Sequence, residues 1–145
     1  MRGNLGLKTK NIINLQDETF DEILSDFKYD LRRWKTRVKH MENEIVFLER
    51  LLASEAFGKV LTRTMREKRE LFKKMIRIKA DFLADFKAEL DSYQVTLTKL
   101  ASTDHLRKNK VHVERHETLN IRFEKFCKDF DDFRAKVLIQ TGSIL

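Results

Sequence analysis

The chain has 145 residues, of which 41% are apolar and 37% charged, with a formal net charge of +7, no Pro, four Gly and a single Cys. The charged share exceeds the roughly 25% of an average domain, but the apolar share is too high for a disordered chain, and breakers of helices are almost absent. Cys127 has no partner for an intrachain disulfide, residues 1–16 lack the apolar stretch of a signal peptide, and no window approaches a membrane span, so a soluble protein of a reducing, cytoplasmic compartment is expected.

Residues 1–16 show no apolar period and read as a flexible or loosely packed N-terminal arm. Asp17 or Thr19 then offers an N-cap with acidic residues in the following turn. From Phe20 the apolar positions run Leu24, Phe27, Leu31, Trp34, Val38, Met41, Ile45, Leu48 and Leu52, at spacings that alternate between 4 and 3. A period of 3.5 is the signature of helices that pack along one seam. The first helix is therefore expected over about 17–53, with Gly58 as a cap or turn behind it.

A second helix is expected over about 59–100. Its stripe includes Leu61, Met65, Phe72, Met75, Ile76, Phe82, Leu83, Phe86, Leu90, Tyr93, Leu97 and Leu100. Arg69 and Lys79 interrupt that stripe, where their long stems can cover apolar surface. Ser102, Thr103 and Asp104 form a turn and cap. The third helix, over about 104–139, carries Leu106, Val113, His116, Leu119, Phe123, Phe126, Phe130, Phe133 and Val137; Gly142 then falls in a short tail, 141–145.

Two short connections make sequence neighbours antiparallel in space. The fold expected is all-α: one elongated, antiparallel, coiled-coil-like three-helix bundle of up-down-up topology over residues 17–140. Trp34 in the middle of the first of three heptad-patterned helices resembles a spectrin repeat; the likeness rests on that residue and the seam spacing, and no function follows from it.

Charge is unevenly distributed. Residues 59–79 hold nine basic and two acidic side chains, whereas 17–32 are net acidic. On a helical wheel Lys59, Arg63, Arg66, Arg69, Lys73, Lys74 and Arg77 share a sector of about 140°. Such a sector is either a solvated face or a docking surface for phosphates, acidic headgroups or an acidic protein. It holds no aromatic, Asn or Gln to stack on or read a base, so any nucleic-acid contact would be sequence-independent.

Motifs with chemistry are scarce. His112 and His116 stand at i, i+4, a spacing that can put two imidazoles on one metal. His116, however, lies on the apolar seam, where a core histidine is the commoner case. Cys127 adjoins Phe123, Phe126 and Phe130 and reads as a small buried hydrophobe. No phosphate loop, paired cysteines or Glu-x-x-His pair occurs, so no catalytic residue, cofactor or metal is expected, nor a small-molecule substrate.

One apolar excess remains. Ile45, Val46, Phe47, Leu48, Leu51, Leu52 and Phe57 surround nearly the whole end of the first helix, more than one seam needs. Either the hairpin closes over them, or they form a contact for a partner, with Phe47, Leu51 and Phe57 as its core. The function expected is a non-enzymatic interaction or scaffold protein that works through protein–protein contacts, self-association included. The alternative is an electrostatic binder of nucleic acid or anionic membrane through the basic face of the second helix.

Overall fold

A computed structural model describes residues 17–54, 62–101 and 109–144. They form three helices: α1 (Asp17–Ala53), α2 (Arg63–Ala101) and α3 (Asn109–Ile144). Ser54 and Thr62 are the only described residues outside them, and there is no strand among the described residues. The chain is thus an all-α three-helix bundle. The N-terminal arm, Gly58 and the turn at Ser102–Asp104 lie outside the described residues, as do Leu61 and Leu106.

Helix ends follow local chemistry. At the end of α1 the Ser54 hydroxyl and amide both donate to the Leu51 carbonyl, at 2.8 and 3.2 Å. Thr62 caps α2: its hydroxyl oxygen accepts from the Met65 amide at 3.2 Å, and its carbonyl accepts from the Arg66 amide. The helix therefore begins at Arg63, behind its cap; Lys59, where it was expected to start, lies outside the described residues. The description of α3 starts at Asn109 and the helix runs to Ile144, past the expected end at 139. Gly142 is helical and has no positive φ. The reason lies one residue earlier. Thr141 continues the buried seam and satisfies its hydroxyl on the Val137 carbonyl at 2.8 Å. Packing of that turn outweighs the roughly 1 kcal/mol that a helical Gly costs relative to Ala.

The chain divides into two compact units, each built from stretches of all three helices. In unit 1 (1–35 and 89–125) the core comprises Ile23, Leu24, Phe27, Leu31 and Trp34 of α1, Leu90, Tyr93, Leu97 and Leu100 of α2, and Val113, His116, Leu119 and Phe123 of α3. Helix directions follow from the cross-links. Arg122 pairs with Glu89 while Arg115 donates to Thr96, so α2 and α3 run antiparallel. Trp34 meets both His116 and Phe123, and Phe27 meets His116, so α1 and α3 run parallel.

In unit 2 (36–88 and 126–145) Val38, Met41, Ile45, Leu48 and Leu52 face Phe72, Ile76, Leu83 and Phe86, with Phe126, Phe130, Phe133, Val137 and Thr141 from α3. The pairs Lys68–Gln140, Phe72–Phe133 and Phe82–Phe126 again set α2 against α3 in antiparallel order. Arg37–Asp131 and Glu44–Arg134 set α1 parallel to α3. Each unit is therefore up-down-up.

The seam of α2 is continuous through its two basic residues. Lys79 stands over the rings of Phe126 and Phe133, 5.7 and 5.2 Å from their centroids. Burial lowers its pKa, and Asp129 counters part of that. Here a cation replaces a seam hydrophobe, held by ring faces whose attraction is worth about 0.5–1 kcal/mol at a partly exposed site. Lys79→Met would remove the desolvation while keeping the stem's volume. The expected outcome is a gain of about 0.5–2 kcal/mol in stability, read as a higher urea midpoint; a loss would show that the cation–ring contacts dominate.

Candidate functional site

Three polar side chains are fully buried in unit 1, one from each helix, and they touch one another. Asp30 is 2% exposed, Tyr93 and His116 0%. The seam rules explain two of them: Tyr93 and His116 occupy seam positions of α2 and α3. Asp30 lies one residue before the seam residue Leu31 of α1, on the flank that turns toward α3. Tyr93 Oη lies 2.6 Å from His116 Nδ1, and His116 Nε2 lies 2.9 Å from Asp30 Oδ2.

The direction of these hydrogen bonds follows from the phenol. Burial pushes the Tyr93 pKa far above its ordinary value; Arg115 pulls it down and Asp30 pushes it further up. The O–H is therefore retained and needs an acceptor. Among the described residues Nδ1 is its one hydrogen-bond partner, so Tyr93 donates to Nδ1. The proton of the neutral imidazole then resides on Nε2 and is donated to the Asp30 carboxylate. The second carboxylate oxygen meets Arg33 at 3.5 Å.

Aromatic rings close the site. Phe27 stacks on the His116 ring at 3.8 Å and 6°, and Trp34 leans on it at 4.7 Å. Arg115 covers Tyr93, 5.1 Å from the ring centroid, and anchors itself on Thr96 Oγ1 at 3.2 Å. On the nearby surface Arg122 grips Glu89 through two nitrogens, at 2.7 and 2.9 Å, and this contact holds the Glu89 carboxyl below its usual range.

A Tyr–His–Asp chain has the parts of a proton relay. Its chemistry is nonetheless directed inward, since the hydroxyl, both ring nitrogens and Asp30 Oδ2 face one another and Oδ1 faces Arg33. The same geometry decides the His112–His116 pair. Both ring nitrogens of His116 are engaged, so the two imidazoles cannot share a metal in this arrangement. His112 is half-buried beside an apolar pocket lined by Phe20, Ile23, Leu24, Phe27, Leu100 and Val113. Among the described residues no group of His, Cys, Asp and Glu could hold a metal ion. Cys127 is half-buried rather than buried.

The sequence-expected surfaces separate. Phe47 is 49% exposed and Val46 beside it 44%, whereas Leu51 is half-buried; Phe57 lies outside the described residues. Of the basic sector, Lys59 also lies outside them. Arg63, Arg66, Lys74 and Arg77 are exposed, and Lys73 is half-buried with its ammonium 3.5 Å from Glu70. Arg69 departs from the expected sector. It is a seam residue whose side chain is 22% exposed, its buried Nε 3.5 Å from Glu70 and without a hydrogen bond. The spacing 65–69–72–76 had placed it there, and burial of its stem holds it there.

The signal for Asp30 was present in the sequence but indirect. Two seam positions with polar heads, Tyr93 and His116, require a third polar group at their level, and Asp30 supplies it. The chain matches no protein-family model, no curated protein and no solved structure. Among the described residues no helix is long and apolar enough to cross a membrane.

Tyr93→Phe strands the Nδ1 acceptor in a dry interior, which costs about 1–3 kcal/mol. It also changes the response to alkali. The folded-state pKa of Tyr93 is raised, so its contribution is complete below the unfolded value of 10.0 and is lost progressively as pH rises above it. Urea midpoints from pH 8 to pH 11 should fall more steeply for the parent chain than for Tyr93→Phe; parallel slopes would contradict the buried, protonated phenol.

Proposed function

We propose that this chain is a non-enzymatic helical-bundle interaction module that acts through protein–protein contacts, and that Val46 and Phe47 form its contact surface. The observation that carries this reading is the exposure of Phe47 beside a core that is already complete. Its neighbours Ile45, Leu48 and Leu52 are all buried in unit 2, Leu48 and Leu52 fully. The bundle gains nothing from a phenyl ring in water, and an adjacent Val–Phe pair is a larger apolar unit than a scattered surface residue.

A non-enzymatic role is supported by the state of the acid–base groups. Asp30, Tyr93 and His116 are at most 2% exposed and serve one another, so no substrate meets them. A second copy of the chain is the simplest partner, because it presents the same Val46–Phe47 pair and gives an isologous contact. A cytoplasmic setting accords with one half-buried thiol and no disulfide.

Sedimentation velocity tests this. The parent chain should exceed its monomer mass of 17.3 kDa as concentration rises. Phe47→Lys should return to 17.3 kDa with its helical circular dichroism unchanged. A parent chain that stays monomeric to its solubility limit, or a variant that still associates, would sink the self-contact.

A further inference from the structure

We propose that the outer edge of the α2–α3 pair in unit 2 docks on anionic phospholipid headgroups. Lys74, Arg77 and Lys136 meet the phosphates, while Leu71, Ile78 and Ile139 enter the boundary between headgroups and acyl chains. The proposal concerns a different surface from the Phe47 contact and does not rest on it.

Unit 2 brings these residues to one edge. Lys68 donates to Gln140 at 3.2 Å, and Phe72 meets Phe133 edge to face at 5.8 Å. Leu71 follows Lys68 by three residues and Ile139 precedes Gln140 by one, so both belong to the turns those contacts join. Leu71, Lys74 and Ile78 then continue along one face of α2 at i, i+3 and i+7. The aliphatic side chains stand well clear of the core: Leu71 is 54% exposed, Ile78 62% and Ile139 73%.

The cations around them are available, Lys74 and Lys136 on that edge and Arg77 beside Ile78 on the flank of α2 turned from α3. Lys74, Arg77 and Lys136 are exposed and make no ion pair among the described residues. The nearby carboxylates are engaged, Glu67 by Arg63, Glu70 by Arg69 and Lys73, and Asp132 by Lys128. Asp81, one turn beyond Ile78, marks where the basic patch ends. The edge thus presents free positive charge around projecting branched aliphatics.

That combination selects the occupant. A nucleic-acid backbone would take the cations but offers no apolar phase to three aliphatic side chains, and the six residues include no ring to stack on a base. A partner helix is held by knobs set into grooves, whereas Leu71 and Ile78 project from crests immediately before the seam residues Phe72 and Lys79. A bilayer surface meets crests. It supplies phosphate charge at the level of the Lys and Arg heads and an acyl boundary just below.

The full chain is sedimented with phosphatidylcholine vesicles that either contain or lack phosphatidylserine, with a DNA duplex as a parallel arm. Binding is expected to need phosphatidylserine and to weaken steeply with salt. Reversing the charges with Lys74→Glu, Arg77→Glu and Lys136→Glu should lower affinity about a hundredfold or more. Leu71→Ser, Ile78→Ser and Ile139→Ser together keep every charge and should still lower it about tenfold, with helicity unchanged. Phe47→Lys should leave vesicle binding intact, which keeps the two surfaces separable. The proposal is overturned if phosphatidylserine vesicles do not bind at low salt, or if the serine variant binds as well as the parent. It is equally overturned if the duplex binds as tightly as the vesicles and is indifferent to the serine changes.

Discussion

Three helices that present similar apolar seams can slide past one another by a heptad at little cost in buried area, and something must oppose that slip. In unit 1 the Tyr93–His116–Asp30 chain does so. Each helix contributes one member, and each hydrogen bond joins two different helices. A heptad shift of α3 would bring Phe123 to the level of His116, which takes the acceptor from the buried Tyr93 and the imidazole from Asp30. An unsatisfied buried polar group costs about 1–3 kcal/mol, more if charged. The chain is thus a selector of register as much as a source of stability, which is the best-attested use of buried polar groups among packed helices. Phe27 and Trp34, packed against the imidazole, keep water from substituting for the protein partners.

Unit 2 reaches order by another route. Its α3 seam is a run of phenylalanines, and the misfit in α2 is basic rather than neutral. Lys79 finds two ring faces, and the Arg69 stem fills the seam while its head meets Glu70. Neither is part of a closed hydrogen-bonded chain, and the Arg69 Nε is buried without a hydrogen bond. The two units therefore place polar atoms in the seam with opposite consequences. In unit 1 the polar heads are satisfied and specify a register; in unit 2 the cations are only partly compensated and leave room for stabilising substitutions.

The same division bears on function. The interior holds groups with acid–base chemistry, each turned toward a protein partner. The surface of unit 2 holds exposed apolar side chains on all three helices, and those on α2 and α3 lie among unpaired cations. The proposed protein contact through Phe47 and the proposed lipid contact through the α2–α3 edge would use different helices and different physics, one apolar and one mixed. A module that attaches through one surface and associates through the other would act by location.

The three helices, their seams and the basic bias of α2 were legible in the sequence because they are periodic properties of single helices. The alternation of 3 and 4 from Phe20 to Leu52 and from Met65 to Leu100 needs no partner to be seen, and the helices bury the apolar residues it marks from Leu24 and from Phe72 onward. The same pattern placed His116 on a seam and ranked burial above metal binding. What the sequence could not decide is what faces what. Asp30 lies beside its own helix's seam and becomes a core residue only because α3 brings an imidazole to its flank. Arg69 fell both in the seam by its spacing and in the basic sector on the wheel, and neighbours on other helices decided for the seam. The end of α3 was misplaced at Gly142 because local propensity is worth about 1 kcal/mol and the buried turn at Thr141 is worth more. Period fixes the elements; contacts between helices fix which polar atoms go inside.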